Sequence, residues 1–115
     1  MVIEDDEKVG KTTCRVLEYL GCDALWTSNG EDGLREVERK AIDLVLVDFG
    51  LPGRNGISTA GSIHEIRPAV PIVLVTGWLG AVDQAALEQS GIAKALTKPV
   101  TKSELAALLD EFVHR

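Results

Sequence analysis

The sequence predicts an α/β domain, a parallel sheet with helices packed on both of its faces. Three observations lead there. Short runs rich in Val, Ile and Leu stand at 2–3, 44–47 and 72–75, with weaker ones at 24–27 and 92–96. They are apolar throughout rather than alternating, as strands covered on both faces are. Segments with helical spacing lie between them, and the resulting order, βαβαβαβαβα with short connections, is that of a parallel sheet wound by crossover helices.

The elements follow in chain order. After the first strand, Val9, Thr13, Val16 and Leu20 repeat at a 4-3-4 spacing and predict one buried stripe on a helix over 7–20. Leu34, Val37 and Ala41 predict a second helix over 30–40. Ile57, Ala60, Ile63 and Ile66 predict a third, stopped before Pro68, whose ring disfavours helix in the residue preceding it. Val82, Ala85 and Ala86 predict a fourth over 81–90, ended by Gly91. The last helix has the clearest start: Thr101-Lys102-Ser103-Glu104 matches the S/T-x-x-E capping box, followed by Leu105, Leu108, Leu109 and Phe112.

Length and composition bound the rest. At 115 residues, 45% hydrophobic and 26% charged, the chain is the size of one globular domain, 1–115. A domain of this length buries roughly two-thirds of its unfolded surface, so its core needs neither disulfide nor metal. Cys14 and Cys22 sit in no CxxC or ligand-like spacing and are expected to be reduced thiols. No apolar run approaches the roughly 18 residues of a membrane span, and no signal peptide opens the chain, so a cytoplasmic location without membrane contact is expected. Acids outnumber bases 18 to 12, a net charge of -6, which speaks against direct nucleic-acid binding. His64, among polar neighbours, and His114, near the end, are expected to be solvated; Trp26 is expected to cover the sheet edge.

In an open parallel sheet, ligands bind beyond the carboxyl ends of the strands. Strand one ends in Glu4, Asp5 and Asp6, strand three in Asp48, strand four in Thr76 and strand five in Lys98-Pro99. Three carboxylates at one edge repel one another unless a cation or a proton sits among them. Hard oxygen ligands suit Mg²⁺, which prefers one or two carboxylates plus phosphate oxygens. A hydroxyl and an ammonium opposite the metal would complete a cage for a phosphoryl group, and an Asp at its centre can act as nucleophile and form an aspartyl phosphate. Asp6 and Glu7 read as helix-start residues instead.

The pieces Val2-Ile3-Glu4-Asp5-Asp6, Asp48-Phe49-Gly50-Leu51-Pro52 with Gly56, Val75-Thr76-Gly77 and Lys98-Pro99, in order and each at a strand end, resemble the receiver domain of bacterial two-component response regulators over essentially the whole chain. The resemblance implies a doubly wound (βα)5 three-layer sandwich, flavodoxin-like or CheY-like, with strands ordered 2-1-3-4-5. It implies Asp48 as phosphoacceptor, Asp5 as direct ligand of Mg²⁺ (or Mn²⁺), Glu4 as its partner through water, and the Gly50 carbonyl as a further ligand. Thr76 and Lys98 would hold phosphoryl oxygens, and the Lys98-Pro99 bond would be cis. The implied partner is a histidine kinase or a histidine phosphotransfer domain, with self-catalysed phosphotransfer and autodephosphorylation rather than conventional turnover. Output, and a homodimer, would use the face of helix four, strand five and helix five.

The sequence departs from that pattern at three places. Ala95 stands three residues before the lysine, where the family often has Tyr or Phe, so the usual coupling of Thr to an aromatic lacks its second element. Trp78 lies two residues after Thr76, and its indole is expected to overhang the site and slow attack by water. Family members also begin several residues earlier, so strand one is expected to be shortened and Met1 to be internal to a longer protein. Asp48-Phe49-Gly50-Leu51-Pro52-Gly53 and Val75-Thr76-Gly77 are similar to receivers of hybrid sensor histidine kinases; a single-domain regulator and a DNA-binding regulator are the other parents. The competing class is a binding-only pseudo-receiver with vestigial phosphorylation. An aspartyl phosphatase would need a second Asp where Gly50 stands, and a flavodoxin-like redox domain would need a Ser/Thr-rich phosphate loop after strand one.

Overall fold

The computed structural model describes residues 1–53 and 55–114, with Ala81 through its backbone only. Among the described residues the strands are β1 (Val2–Ile3), β2 (Trp26–Thr27), β3 (Val45–Asp48), β4 (Ile72–Thr76) and β5 (Ile92–Thr97). They form one five-stranded sheet in the order β2-β1-β3-β4-β5, and every pairing is parallel. The helices are α1 (Glu7–Tyr19), α2 (Gly30–Arg39), α3 (Gly56–Ile66), α4 (Gln84–Gln89) and α5 (Lys102–Phe112). This is the doubly wound three-layer arrangement and strand order that the sequence implies.

The continuous apolar runs have a direct packing cause. Successive residues of a strand point to opposite faces, and here both faces are cores. Ile3, Val45, Val47, Ile72 and Leu74 join Val37, Ala60, Ile63 and Leu87 of α2, α3 and α4 on one side. Val2, Leu44, Leu46 and Val73 join Cys14, Leu17, Leu105, Leu108 and Leu109 of α1 and α5 on the other. β5 lies at the sheet edge, where Ala93 and Lys94 are exposed, and Lys94 pairs with Glu111 of α5 at 3.2 Å.

Four details differ from the periodicity. The buried stripe of α1 is Gly10, Cys14 and Leu17, one residue on from the predicted one, and Val9 is left 42% exposed. Glycine carries no hydropathy signal, so the pattern could not place Gly10 at the stripe's head. α2 ends at Arg39 because Lys40 is already extended, leaving Ala41 exposed beyond it. The predicted fourth helix is a 3₁₀ turn at Leu79–Ala81 followed by the short α4, because the Asp83 side chain accepts from the Ala85 N–H and starts the helix there. His64 is only partly solvated: the residue is half-buried, its ring stands where a Cβ on Gly91 would be, and Nδ1 is buried with no hydrogen-bond partner among the described residues.

The turn that carries the predicted lysine is held firmly. The Lys98-Pro99 peptide is cis, and the Lys98 N–H donates to the Thr76 carbonyl at 2.7 Å. Immediately afterwards the capping box forms: Thr101 accepts from the Glu104 N–H, and the Glu104 carboxylate accepts from the Thr101 N–H at 3.0 Å. No helix among the described residues is long and apolar enough to cross a membrane.

Candidate functional site

Parallel pairing brings distant residues to one edge. β1 and β3 are neighbours, with Ile3 opposite Val47, so Glu4 and Asp48 occupy corresponding positions at adjacent strand ends. Glu4, Asp5 and Asp48 each offer a carboxylate oxygen within 4.8 Å of the others. Lys98, at the end of β5, reaches across to both: its Nζ lies 2.9 Å from a Glu4 oxygen and 2.9 Å from an Asp48 oxygen. Glu4 and Asp48 are buried, at 4% and 7% exposure, whereas Asp5 faces solvent. Asp6 caps α1 through the Val9 N–H, in keeping with its reading as a helix-start residue. A cleft of about 390 Å³ runs from this cluster between α1 and the start of α5, floored by Val2, Ile3 and Leu46.

The electrostatics follow from the burial. Taking Glu4 out of water raises its carboxyl pKa; Lys98 and the Asp6 N–H pull it back, while Asp5 and Asp48 push it further up. Asp5 is held below the ordinary carboxylate value, chiefly by its hydrogen bond with Glu4 and also by Asp48. Burial works against the Lys98 ammonium, but its bonds to Glu4 and Asp48 outweigh that and raise its pKa. One ammonium thus serves two buried carboxylates, and a third carboxylate stands at the mouth. Three clustered carboxylates against one bridging ammonium, among the described residues, are the hard oxygen donor set that a divalent cation such as Mg²⁺ takes.

Other sequence-predicted residues lie around this cluster. Thr76 is buried at the end of β4, the strand beside Asp48. Its hydroxyl is engaged with the backbone of Trp78, accepting from the N–H at 3.3 Å and donating to the carbonyl at 3.4 Å. Gly50 is exposed and has open space where a Cβ would be. Trp78 is 70% exposed, and a Cβ on Gly80 would come within 2.7 Å of its ring. Ala95 is half-buried against the α3–α4 core. Trp26 was expected only at the sheet edge, yet its Nε1 donates to the Glu4 carbonyl at 2.8 Å. The only sequence trace of that contact is the glycine at position 10 that makes room for the ring.

The sequence profile of the response regulator receiver domain matches residues 1–110. The chain belongs to that family. As a receiver of two-component signalling, it is 28% identical over 111 residues to the transcriptional regulatory protein GlrR of Escherichia coli K12, covering 96% of this chain and 25% of that protein. It is 29% identical over 115 residues to the sensory transduction protein RegX3 of Mycolicibacterium smegmatis, covering all of this chain and 50% of that one. The receiver therefore spans half or less of the length of these curated relatives. Among solved structures, the receiver domain of the sensor histidine kinase PA1611 from Pseudomonas aeruginosa, with a magnesium ion coordinated in its active-site cleft, superimposes with a TM-score of 0.89 at 26% identity, over 99% of this chain and 95% of that one.

Proposed function

We propose that this receiver takes a phosphoryl group from the phosphohistidine of a histidine kinase or a histidine phosphotransfer domain onto Asp48, in a reaction that requires Mg²⁺ or Mn²⁺. The observation that carries the reading is Lys98 bridging Glu4 and Asp48 at 2.9 Å each, with Asp5 completing the acidic cluster. Asp5 and Asp48 would hold the cation directly, the Gly50 carbonyl would add a ligand, and Glu4 would act through water. The cation supplies charge neutralisation for the developing phosphoryl oxygens.

The chain's own residues do the rest. An Asp48 carboxylate oxygen attacks phosphorus as the bond from phosphorus to the histidine nitrogen breaks, so the phosphoryl group moves and the imidazole leaves. Lys98 exchanges its carboxylate partners for a phosphoryl oxygen. Thr76 exchanges the Trp78 backbone for another, which couples the loop 77–82 to phosphorylation. Trp78, within that loop, would act as a screen against water. The face of α4, β5 and α5 would carry output and any homodimer, in a cytoplasmic setting.

Incubation with acetyl phosphate and Mg²⁺, read by intact mass, tests the reading. The expected result is one added phosphoryl group on the wild type and none on Asp48→Asn. A wild type that gains no phosphoryl group, or an Asp48→Asn variant that still gains it, overturns the assignment; the first outcome is the behaviour of a binding-only pseudo-receiver. On the phosphorylated protein, Trp78→Ala should hydrolyse faster than the wild type, because removing the ring opens a route for water that the closed site excludes. An unchanged lifetime removes the screening role of Trp78 and leaves the acceptor assignment standing.

A further inference from the structure

Trp26 is a residue that phosphoryl transfer leaves unexplained, and its place in the sheet is specific. β1 and β2 pair with Val2 opposite Trp26 and Ile3 opposite Thr27, and the Glu4 N–H continues the ladder onto the Thr27 carbonyl at 3.0 Å. In a parallel ladder the Glu4 carbonyl would next accept from the N–H two residues beyond Thr27, that of Asn29. The chain has left the sheet by then. β2 ends at Thr27, and Asn29 is extended as the cap of α2, its side chain accepting from the Asp32 N–H.

The indole takes over that position, with Nε1 donating to the Glu4 carbonyl at 2.8 Å. α1 is built to admit it. Gly10 lies in the helix interior, where glycine is otherwise unfavourable, and a Cβ there would collide with the ring. Lys11 follows, with its ammonium 5.8 Å from the ring centroid. One side chain thus ties β2, the first turns of α1 and the backbone of Glu4 together, immediately before Asp5.

We propose that Trp26 is a positioning residue of the divalent-cation site, its indole N–H pinning the Glu4 carbonyl and so fixing where the Glu4 and Asp5 carboxylates stand. The inference rests on the reading of Glu4 and Asp5 as cation ligands given above. Mg²⁺ demands near-ideal octahedral geometry, so play in the backbone that carries its ligands weakens binding even where every carboxylate is present.

Calorimetric titration with MgCl₂ alone, well below the melting temperature, tests it on wild type and Trp26→Phe. Phenylalanine keeps an aromatic ring for the Gly10 notch and removes the donor. The expected result is Mg²⁺ affinity weakened about three- to tenfold, the scale of one lost hydrogen bond. Equal affinity in the two proteins overturns the inference, even if the variant melts lower, because that would be the mark of a merely structural tryptophan. No Mg²⁺ uptake by the wild type removes the cation-site reading itself, and this inference with it.

A second measurement needs no variant. Linkage is reciprocal, so a clasp that strengthens Mg²⁺ binding must itself be strengthened by Mg²⁺. Hydrogen exchange of the Trp26 indole N–H, followed by NMR, should slow about three- to tenfold at saturating Mg²⁺, while the exposed Trp78 indole stays unprotected. Unchanged Trp26 exchange overturns the proposal.

Discussion

At Lys98, a single ammonium holds two buried carboxylates, and the sign of each titration at this edge can be worked out. Glu4 has a pKa raised above its ordinary 4.5, with burial as the main cause. The folded protein therefore binds that proton more tightly than the unfolded chain, and this group contributes stability that grows as pH falls from above the folded pKa toward 4.5. Asp5, lowered from 3.8 chiefly by Glu4, acts oppositely: its contribution is present above 3.8 and lost as pH falls through its folded value. Lys98, raised from 10.5, contributes stability that is complete below 10.5 and lost as pH rises through its folded pKa. The Glu4 proton and a divalent cation compete for the same cluster. Mg²⁺ affinity should therefore fall as pH is lowered toward the raised Glu4 pKa, and calorimetric titration from neutral pH down to 4.5, the ordinary carboxyl value, checks it; an affinity unchanged over the whole of that range would exclude Glu4 from the site.

The site also depends on how elements meet. α3 begins at Gly56, whose N–H donates to the Phe49 carbonyl at 3.0 Å, just past the end of β3. A Cβ on Gly56 would collide with the backbone carbonyl of Asp48 and reach within 2.9 Å of the Phe49 Cα. Those are backbone atoms, which cannot swing aside as a flexible side chain can. Gly56→Ala must move the start of α3 away from the strand end that presents Asp48. The expected cost is about 1–3 kcal/mol, the range for overpacking, read by urea denaturation. A loss below a few tenths would mean that the junction has slack the structure does not show. Elsewhere the caps are local: Asp6, Asn29, Asn55, Asp83 and Thr101 each place a side-chain oxygen on the first turn of a helix, so all five α-helices of the described residues start on side chains from their own segment.

Over the whole molecule, the net charge of -6 is concentrated in part. Glu4, Asp5 and Asp48 converge on one edge, where Lys98 bridges Glu4 and Asp48, and their mutual repulsion is a cost of the fold that a bound cation would relieve. Binding to the native state alone stabilises by RT ln(1 + [L]/Kd), about 1.4 kcal/mol at ten times Kd. Millimolar Mg²⁺ at neutral pH should thus raise the melting temperature by several degrees, as thermal unfolding would report. No change would count against a cation at this edge.

Local chemistry made much of this legible in the linear chain. Runs such as Val45–Val47 and Ile72–Leu74 announce strands buried on two sides, Thr101 and Glu104 announce a capped helix, and the acids, threonine and lysine that close four of the strands fall at one edge of any parallel sheet. Those signals survive because they depend on neighbours a few residues away. The rest depended on contacts between segments far apart in sequence. Gly10 heads the buried stripe of α1 because Trp26, 16 residues later, lays its indole there; Nδ1 of His64 is withdrawn from solvent beside Gly91, which leaves the ring room; and Lys98 chooses both Glu4 and Asp48 because the sheet order sets β1 beside β3. A glycine or a histidine carries no periodic signal of such a partner. Only the packed sheet, which fixes which distant strands become neighbours, decides it.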